Sequence, residues 1–162
     1  MTSTLIVCYS RTGTTRRVTD AIVAASGAPA EIITEARSRG GFFNYMRSGK
    51  EALLKRAAPI QPTHHDPSGF GLIVLGCPVW AGHIPSPMLT YIDTNKRRMR
   101  EVAFFATQMS SSADKMFRQM AAQIGREPVA TLTLLQRDVD SGSHLDAVQR
   151  FAAELDTVSR AA

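Results

Sequence analysis

Apolar runs alternate along the chain with segments in which apolar residues recur at helical spacing. The apolar runs predict five strands, at about residues 4–9, 30–34, 71–77, 102–106 and 129–135. Helices are expected at about residues 14–25, 43–55, 86–94 and 112–124, and from Ser143 onward. Ser143 and Asp146 also have the spacing of a capping box. Strands that alternate with helices predict an α/β fold, in which a parallel sheet carries helices on both faces.

The first predicted strand is followed directly by a loop of hydroxyl residues with one glycine. The loop residues are Ser10, Arg11, Thr12, Gly13, Thr14 and Thr15. A helix is predicted to begin within this loop, and its first amide N–H groups have no partner inside the helix. The helix dipole adds partial positive charge there, and a glycine lets the backbone approach a ligand closely. The loop therefore indicates a phosphate site, with an ordinary capped strand–helix turn as the alternative.

Three familiar classes of phosphate loop do not fit this sequence. The loop has one glycine where a dinucleotide fingerprint needs three, and it lacks the Gly-Lys-Ser/Thr ending of a Walker A loop. Cys8 and Arg16 are too widely spaced for the arginine to fold over the thiolate, as a cysteine phosphatase would require. If the loop is a phosphate site, it is expected to serve another kind of phosphate ligand.

Two further predicted strands end in loops that hold candidate binding residues. The run at 71–77 leads into residues 78–85, which contain Trp80, the only tryptophan of the chain. The run at 102–106 leads into residues 107–112, which are polar apart from Met109. Open α/β sheets bind ligands outside the carboxyl ends of their strands. Three loops are therefore expected to converge at one edge of the sheet.

These three loops, in this order, resemble those of flavodoxins and flavodoxin-fold oxidoreductases. The run at 10–15 is similar to the loop that holds the phosphate of flavin mononucleotide (FMN), and residues 76–82 resemble the loop beside the isoalloxazine ring. Residues 106–112 stand where the second ring-flanking loop belongs. The resemblance implies one doubly wound domain over residues 1–162, a five-stranded parallel sheet in the order 2-1-3-4-5, and FMN as cofactor. It implies cofactor-binding roles for Ser10, Arg11, Thr12, Gly13, Thr14, Thr15, Pro78, Val79, Trp80, Ala81, Gly82, His83, Thr107, Gln108, Met109 and Ser110.

The third loop departs from the flavodoxin pattern because it contains no aromatic residue. Only Trp80 is then available to stack on the flavin, with Met109 able to pack against a ring edge. One face of the ring is expected to be open, which favours an FMN-dependent oxidoreductase that acts on a quinone-like or other small acceptor. The alternative is a non-enzymatic flavodoxin-type electron carrier between protein partners. A phosphoacceptor receiver domain is disfavoured, because Gly76 and Cys77 stand where its aspartate would be.

The charge of the chain is a second departure, since flavodoxins are mostly strongly acidic. The formal net charge is +5, which favours an acidic redox partner protein or an anionic small acceptor. Basic residues concentrate between Arg37 and Arg56, interleaved with aromatic residues. An amphipathic helix with a solvated basic face is the preferred interpretation, docking of a partner or substrate comes next, and a nucleic-acid surface is disfavoured.

The remaining features of the sequence predict a cytoplasmic protein with no metal site. The apolar stretches are too short to span a membrane, and no signal-peptide pattern is present. Cys8 and Cys77 are expected to be small buried thiols, with a redox pair as the alternative. His64 and His65 are assigned to a surface loop, and His83 to a structural role or to hydrogen bonding with a flavin or substrate.

Overall fold

The sheet has the predicted number, direction and order of strands. The computed structural model describes residues 3–36, 58–110 and 112–161. All strands in these ranges are parallel and lie in the order β2-β1-β3-β4-β5. Their bounds are β1 (Thr4–Cys8), β2 (Ala30–Ile32), β3 (Leu72–Pro78), β4 (Glu101–Gln108) and β5 (Thr131–Leu135). The topology confirms a doubly wound arrangement, in which the strand order reverses beside β1.

Helices lie close to most of their predicted positions. They are α1 (Thr14–Ser26), α2 (Ser86–Asn95), α3 (Asp114–Ile124), α4 (Gln136–Ser141) and α5 (Leu145–Ala161), with single 3₁₀ turns at Pro67–Gly69 and Lys96–Arg98. The short helix α4 was not predicted, and the helix predicted at 43–55 lies outside the described residues. The capping box predicted at Ser143 is not the local arrangement, because α5 begins only at Leu145 and the N–H of Ser143 donates to the Ser141 hydroxyl oxygen at 3.4 Å. None of the helices in the described ranges has the length and apolar composition needed to cross a membrane.

The two faces of the sheet bury separate apolar layers. Along β1, Leu5 and Val7 pack with residues of α2 and α3, whereas Ile6 packs with residues of α1 and α5. Because both faces are covered, all residues of β1 and β3 except Thr4 and Pro78 are buried, which explains the continuous apolar runs of these strands. Gly76 is needed where β3 meets the Phe105 ring of β4, since a Cβ at this position would lie 1.8 Å from the ring.

The two cysteines are buried on opposite faces of the sheet. Cys77 belongs to the layer with α3, where its Sγ lies 3.8 Å from the Sδ of Met116. Cys8 instead interacts with Thr19 of α1, and burial raises the pKa of its thiol to about 11. Burial likewise raises the pKa of the Cys77 thiol. Both are free, protonated thiols, as predicted, and they do not form a redox pair.

His64 and His65 have a structural role that the sequence did not indicate. Their backbone N–H groups donate to the carboxylate of Glu31 on β2 at 2.8 and 2.9 Å, and the Nδ1 atom of His65 lies 2.9 Å from it. Glu31 is almost fully buried. Burial alone would raise its pKa, but the hydrogen bonds from His65 and His64 outweigh that effect and lower it. The loop that contains His64 and His65 thus provides the hydrogen-bond donors that allow the Glu31 carboxylate to be buried on the edge strand β2.

Candidate functional site

The three predicted loops meet in one cleft at the carboxyl edge of the sheet. The cleft has a volume of about 160 Å³. Its walls are formed by Arg11, Thr12, Thr14, Thr15, Pro78, Val79, Trp80, Thr107, Gln108, Met109 and Gln136. The convergence predicted from the strand ends is therefore present, and residues of all three loops face the same space.

A second cleft, of about 270 Å³, is larger but lies at the opposite edge of the sheet. It is bounded by the start of β1, the end of α1 and the last turns of α5, where the hydroxyls of Thr4 and Ser159 are 2.9 Å apart. Parallel α/β sheets place their ligands at the carboxyl edge, where loops and helix N-termini converge. The smaller cleft is therefore the better candidate.

The first loop leads into the start of α1 through Gly13. This residue has φ of 95°, a conformation that favours glycine, and its N–H donates to the Ser10 hydroxyl oxygen at 3.1 Å. Ser10 and Gly13 thus shape the loop without lining the cleft. The amides in the first turn of a helix have no partner within the helix, and no described side chain caps α1. This arrangement suits an anionic group.

A buried hydroxyl pair connects the first loop with the third. The Oγ1 atoms of Thr15 and Thr107 are 2.7 Å apart, and both residues are buried. Thr12 is exposed at the mouth of the cleft, where its hydroxyl can reach a ligand. The first loop therefore presents neutral hydrogen-bond donors, and the contact between Thr15 and Thr107 attaches this loop to the end of β4.

The second loop is a tight turn that projects Trp80. The N–H of His83 donates to the carbonyl of Trp80 at 2.9 Å, and Ala81 and Gly82 between them have φ of 49° and 76°. Positive φ at both central positions is typical of a type I′ turn. Ala81, Gly82 and His83 form this turn and do not line the cleft. The ring Nδ1 of exposed His83 is 3.3 Å from the side-chain amide of Gln119, which supports the structural interpretation of this histidine.

The Trp80 ring contacts a buried tyrosine and an exposed arginine. The ring of Tyr9 meets it edge-on, with centroids 5.8 Å apart and planes at 84°. The Tyr9 hydroxyl donates to Glu35 at 2.5 Å, and burial together with this bond raises the pKa of Tyr9. The guanidinium carbon of Arg11 lies 5.7 Å from the Trp80 ring centroid. Trp80 remains 37% exposed, so part of the indole is available to a ligand.

The third loop supplies one unsatisfied polar atom and one exposed apolar side chain. The buried Oε1 atom of Gln108 has no hydrogen-bond partner among the described residues. Met109 is 81% exposed at the rim of the cleft, and Ser110 is exposed without lining it. A buried acceptor without a partner is costly, so Gln108 is suited to receive a hydrogen bond from a ligand.

Gln136 is the lining residue that the sequence analysis missed. It is the first residue of α4, which follows β5 without a loop. A helix of six residues is too short to show helical spacing in the sequence. The available signal was its position, because Gln136 is the polar residue directly after the last apolar run, as Ser10 and Thr107 are at the start of the first and third loops.

Comparison with known proteins identifies the architecture. No protein-family model and no curated protein matches the chain. Among solved structures, a flavoprotein from Lactobacillus acidophilus in complex with FMN is 21% identical, with a TM-score of 0.66 and alignment over 88% of this chain and 99% of that one. A flavodoxin, WrbA-like protein from Agrobacterium tumefaciens is 16% identical, with a TM-score of 0.57 over 99% and 98% of the two chains. The two-electron reduced flavodoxin of Megasphaera elsdenii is 17% identical, with a TM-score of 0.53 over 93% and 98%. With its sheet order, these similarities show that the chain has the flavodoxin fold.

Proposed function

We propose that this protein binds one FMN in the carboxyl-edge cleft and is an FMN-dependent oxidoreductase with a quinone-like or other small acceptor. The observation that carries the proposal is the cleft itself, in which the hydroxyl loop before α1 and the partly exposed Trp80 face the same space. The complex of the Lactobacillus acidophilus flavoprotein with FMN supports the choice of ligand. Bound FMN would supply a ring that takes up and returns one or two electrons.

The residues of the cleft fit the two chemically different ends of FMN. Thr12 and the first-turn amides of α1 are suited to the phosphate, because they combine neutral donors with the positive end of a helix dipole. Trp80 offers an aromatic face to the ring. The unpartnered Oε1 of Gln108 is suited to an N–H donor on the polar edge of the ring. The chain thus offers partners for both ends of the ligand.

The choice between an enzyme and a carrier depends on access to the ring. Among the described residues that line the cleft, Trp80 is the sole aromatic. The third loop contributes Met109, whose exposed and flexible side chain can move aside for a small molecule. This favours direct reaction with a small acceptor, and the net charge of +5 favours an anionic one. The second candidate is a non-enzymatic flavodoxin-type carrier with an acidic partner protein.

The proposal is tested with the purified protein. Its absorption spectrum should show a flavin after reconstitution with FMN, and the reduced holoprotein should be reoxidised rapidly by a soluble quinone under anaerobic conditions. A protein that takes up FMN but reacts with quinones no faster than free reduced FMN would refute the enzymatic role and favour the carrier. A protein that retains no FMN after gel filtration would refute the cofactor assignment.

A further inference from the structure

The three arginines around the first loop have different partners. Arg16 is 2.9 Å from Asp20 along α1, and Arg17 is paired with Asp140 of α4. Arg11 forms no ion pair with any described residue, and it lies over Trp80 within the range of a cation–π interaction. The charge of Arg11 is therefore presented to the cleft at its Trp80 end.

This position changes the function expected for Arg11. As part of the phosphate loop it would offset phosphate charge, but its contact with Trp80 directs its charge to the opposite end of the proposed ligand. Building on the FMN-binding function proposed above, we propose that Arg11 selects the reduced state of the cofactor. It does so by stabilising the negative charge on the doubly reduced ring, which favours two-electron over one-electron transfer.

The charge balance of the reaction explains the selectivity. A hydride donor, such as a reduced nicotinamide, transfers two electrons and one proton to the neutral oxidised ring, which then carries one negative charge at neutral pH. The donor gains the corresponding positive charge as it is oxidised. A guanidinium beside the ring attracts the reduced form and has little effect on the oxidised form, so the two affinities diverge.

The expected size of the preference for reduced over oxidised FMN follows from the position of Arg11. Arg11 is 5.7 Å from the Trp80 centroid, so a ring stacked on Trp80 lies within the reach of its charge. For a separation of about 8 Å and the screening of an exposed side chain, Coulomb's law predicts roughly a three- to tenfold preference for the reduced form. Glu35 carries the opposing charge, but it does not line the cleft, and its carboxylate accepts a hydrogen bond from the Tyr9 hydroxyl at 2.5 Å.

The experiment compares FMN affinities in the two oxidation states. Ligand-free wild type and the Arg11→Gln, Arg11→Lys and Arg16→Gln variants are titrated anaerobically with oxidised FMN and with dithionite-reduced FMN. Arg11→Gln should weaken reduced FMN roughly three- to tenfold more than oxidised FMN. A tenfold difference corresponds to a two-electron potential that is about 30 mV lower. Arg11→Lys should retain much of the preference, and Arg16→Gln, which removes an ion-paired charge outside the cleft, should retain all of it.

The outcomes separate this inference from the function on which it rests. Equal losses for the two oxidation states in Arg11→Gln, or no loss in either, would overturn the role of Arg11 and leave FMN binding in place. A wild type that binds neither form would overturn the proposed function together with the inference. Raising the salt concentration should shrink the difference between wild type and Arg11→Gln, because the interaction is electrostatic at an exposed side chain.

Discussion

Replacing Trp80 with alanine should separate cofactor binding from folding. Trp80 belongs to neither of the two buried layers, and 37% of its surface is exposed in the cleft. Its removal should therefore leave the main core intact. The exposed part of the indole is the surface on which a flavin ring is expected to stack, so the cost should appear in FMN affinity.

The expected loss of FMN affinity follows from the exposed area of the Trp80 side chain. An aromatic side chain buries up to about 250 Å² when fully covered, so a 37% exposed tryptophan leaves roughly 90 Å² available. If a ligand covers half to all of this area, burial contributes about 1–2 kcal/mol. Stacking adds about 0.5–1.5 kcal/mol. Together these contributions are about 1.5–3.5 kcal/mol, so the Trp80→Ala variant should bind FMN roughly ten- to three hundredfold more weakly than the wild type.

The assay is fluorescence titration of ligand-free protein with FMN, paired with urea unfolding of the same variants. Trp80→Phe is the matched control, because it keeps an aromatic face and should recover most of the affinity. The free energy of unfolding of the ligand-free protein should change by less than about 1 kcal/mol in both variants. Unchanged FMN affinity in Trp80→Ala would show that the ring does not stack on this residue. A large loss of stability would show that Trp80 is a core residue.

Three further predictions address the phosphate loop, the core and pH. Thr12→Ala should weaken FMN by about 1.5–3 kcal/mol through loss of a charge-assisted hydrogen bond, while riboflavin affinity measured by the same titration stays unchanged. Gly76→Ala should lower the free energy of unfolding by at least about 1–3 kcal/mol, because the added methyl group would overlap the Phe105 ring. Denaturant unfolding measures this loss, and the double variant Gly76→Ala with Phe105→Leu should recover part of it. Glu31→Gln should destabilise the protein at neutral pH. Because the folded-state pKa of Glu31 is lowered, its contribution is present above the usual glutamate pKa of about 4.3 and is lost as the pH falls through the folded value. The stability gap between variant and wild type should therefore narrow in unfolding curves below about pH 4, and a gap that is constant with pH would contradict this account.

Most of the fold could be predicted because its central strands are buried on both faces. Residues such as Leu5, Ile6 and Val7 are all fully buried, so the apolar run of β1 is continuous in the sequence. The short helix α4 was missed because its six residues contain one buried side chain, Val139, which produces no periodic signal. The donors around Glu31 were missed because they lie more than thirty residues away in the sequence.

The sequence predicted most of the residues that meet in the candidate site, but not how their side chains are oriented. Their positions after the predicted strands were enough to predict that Thr15, Trp80 and Gln108 meet in one cleft. The orientation of Arg11 depends on tertiary neighbours, because the aromatic ring it covers comes from another loop. Similarly, Arg17 is drawn away from the loop by Asp140, which belongs to the unpredicted α4. The sequence places both arginines beside the first loop and does not show that their side chains have different partners.

The central claim, that the cleft holds FMN by its phosphate and its ring, is tested most directly by comparing FMN with riboflavin. Ligand-free protein is titrated with each flavin while flavin fluorescence is recorded. The account predicts one FMN per chain, quenching of its fluorescence by Trp80, and much weaker binding of riboflavin, which lacks the phosphate. Equal affinity for the two flavins would contradict the phosphate-loop assignment, and the absence of binding by either would contradict the cofactor site as a whole.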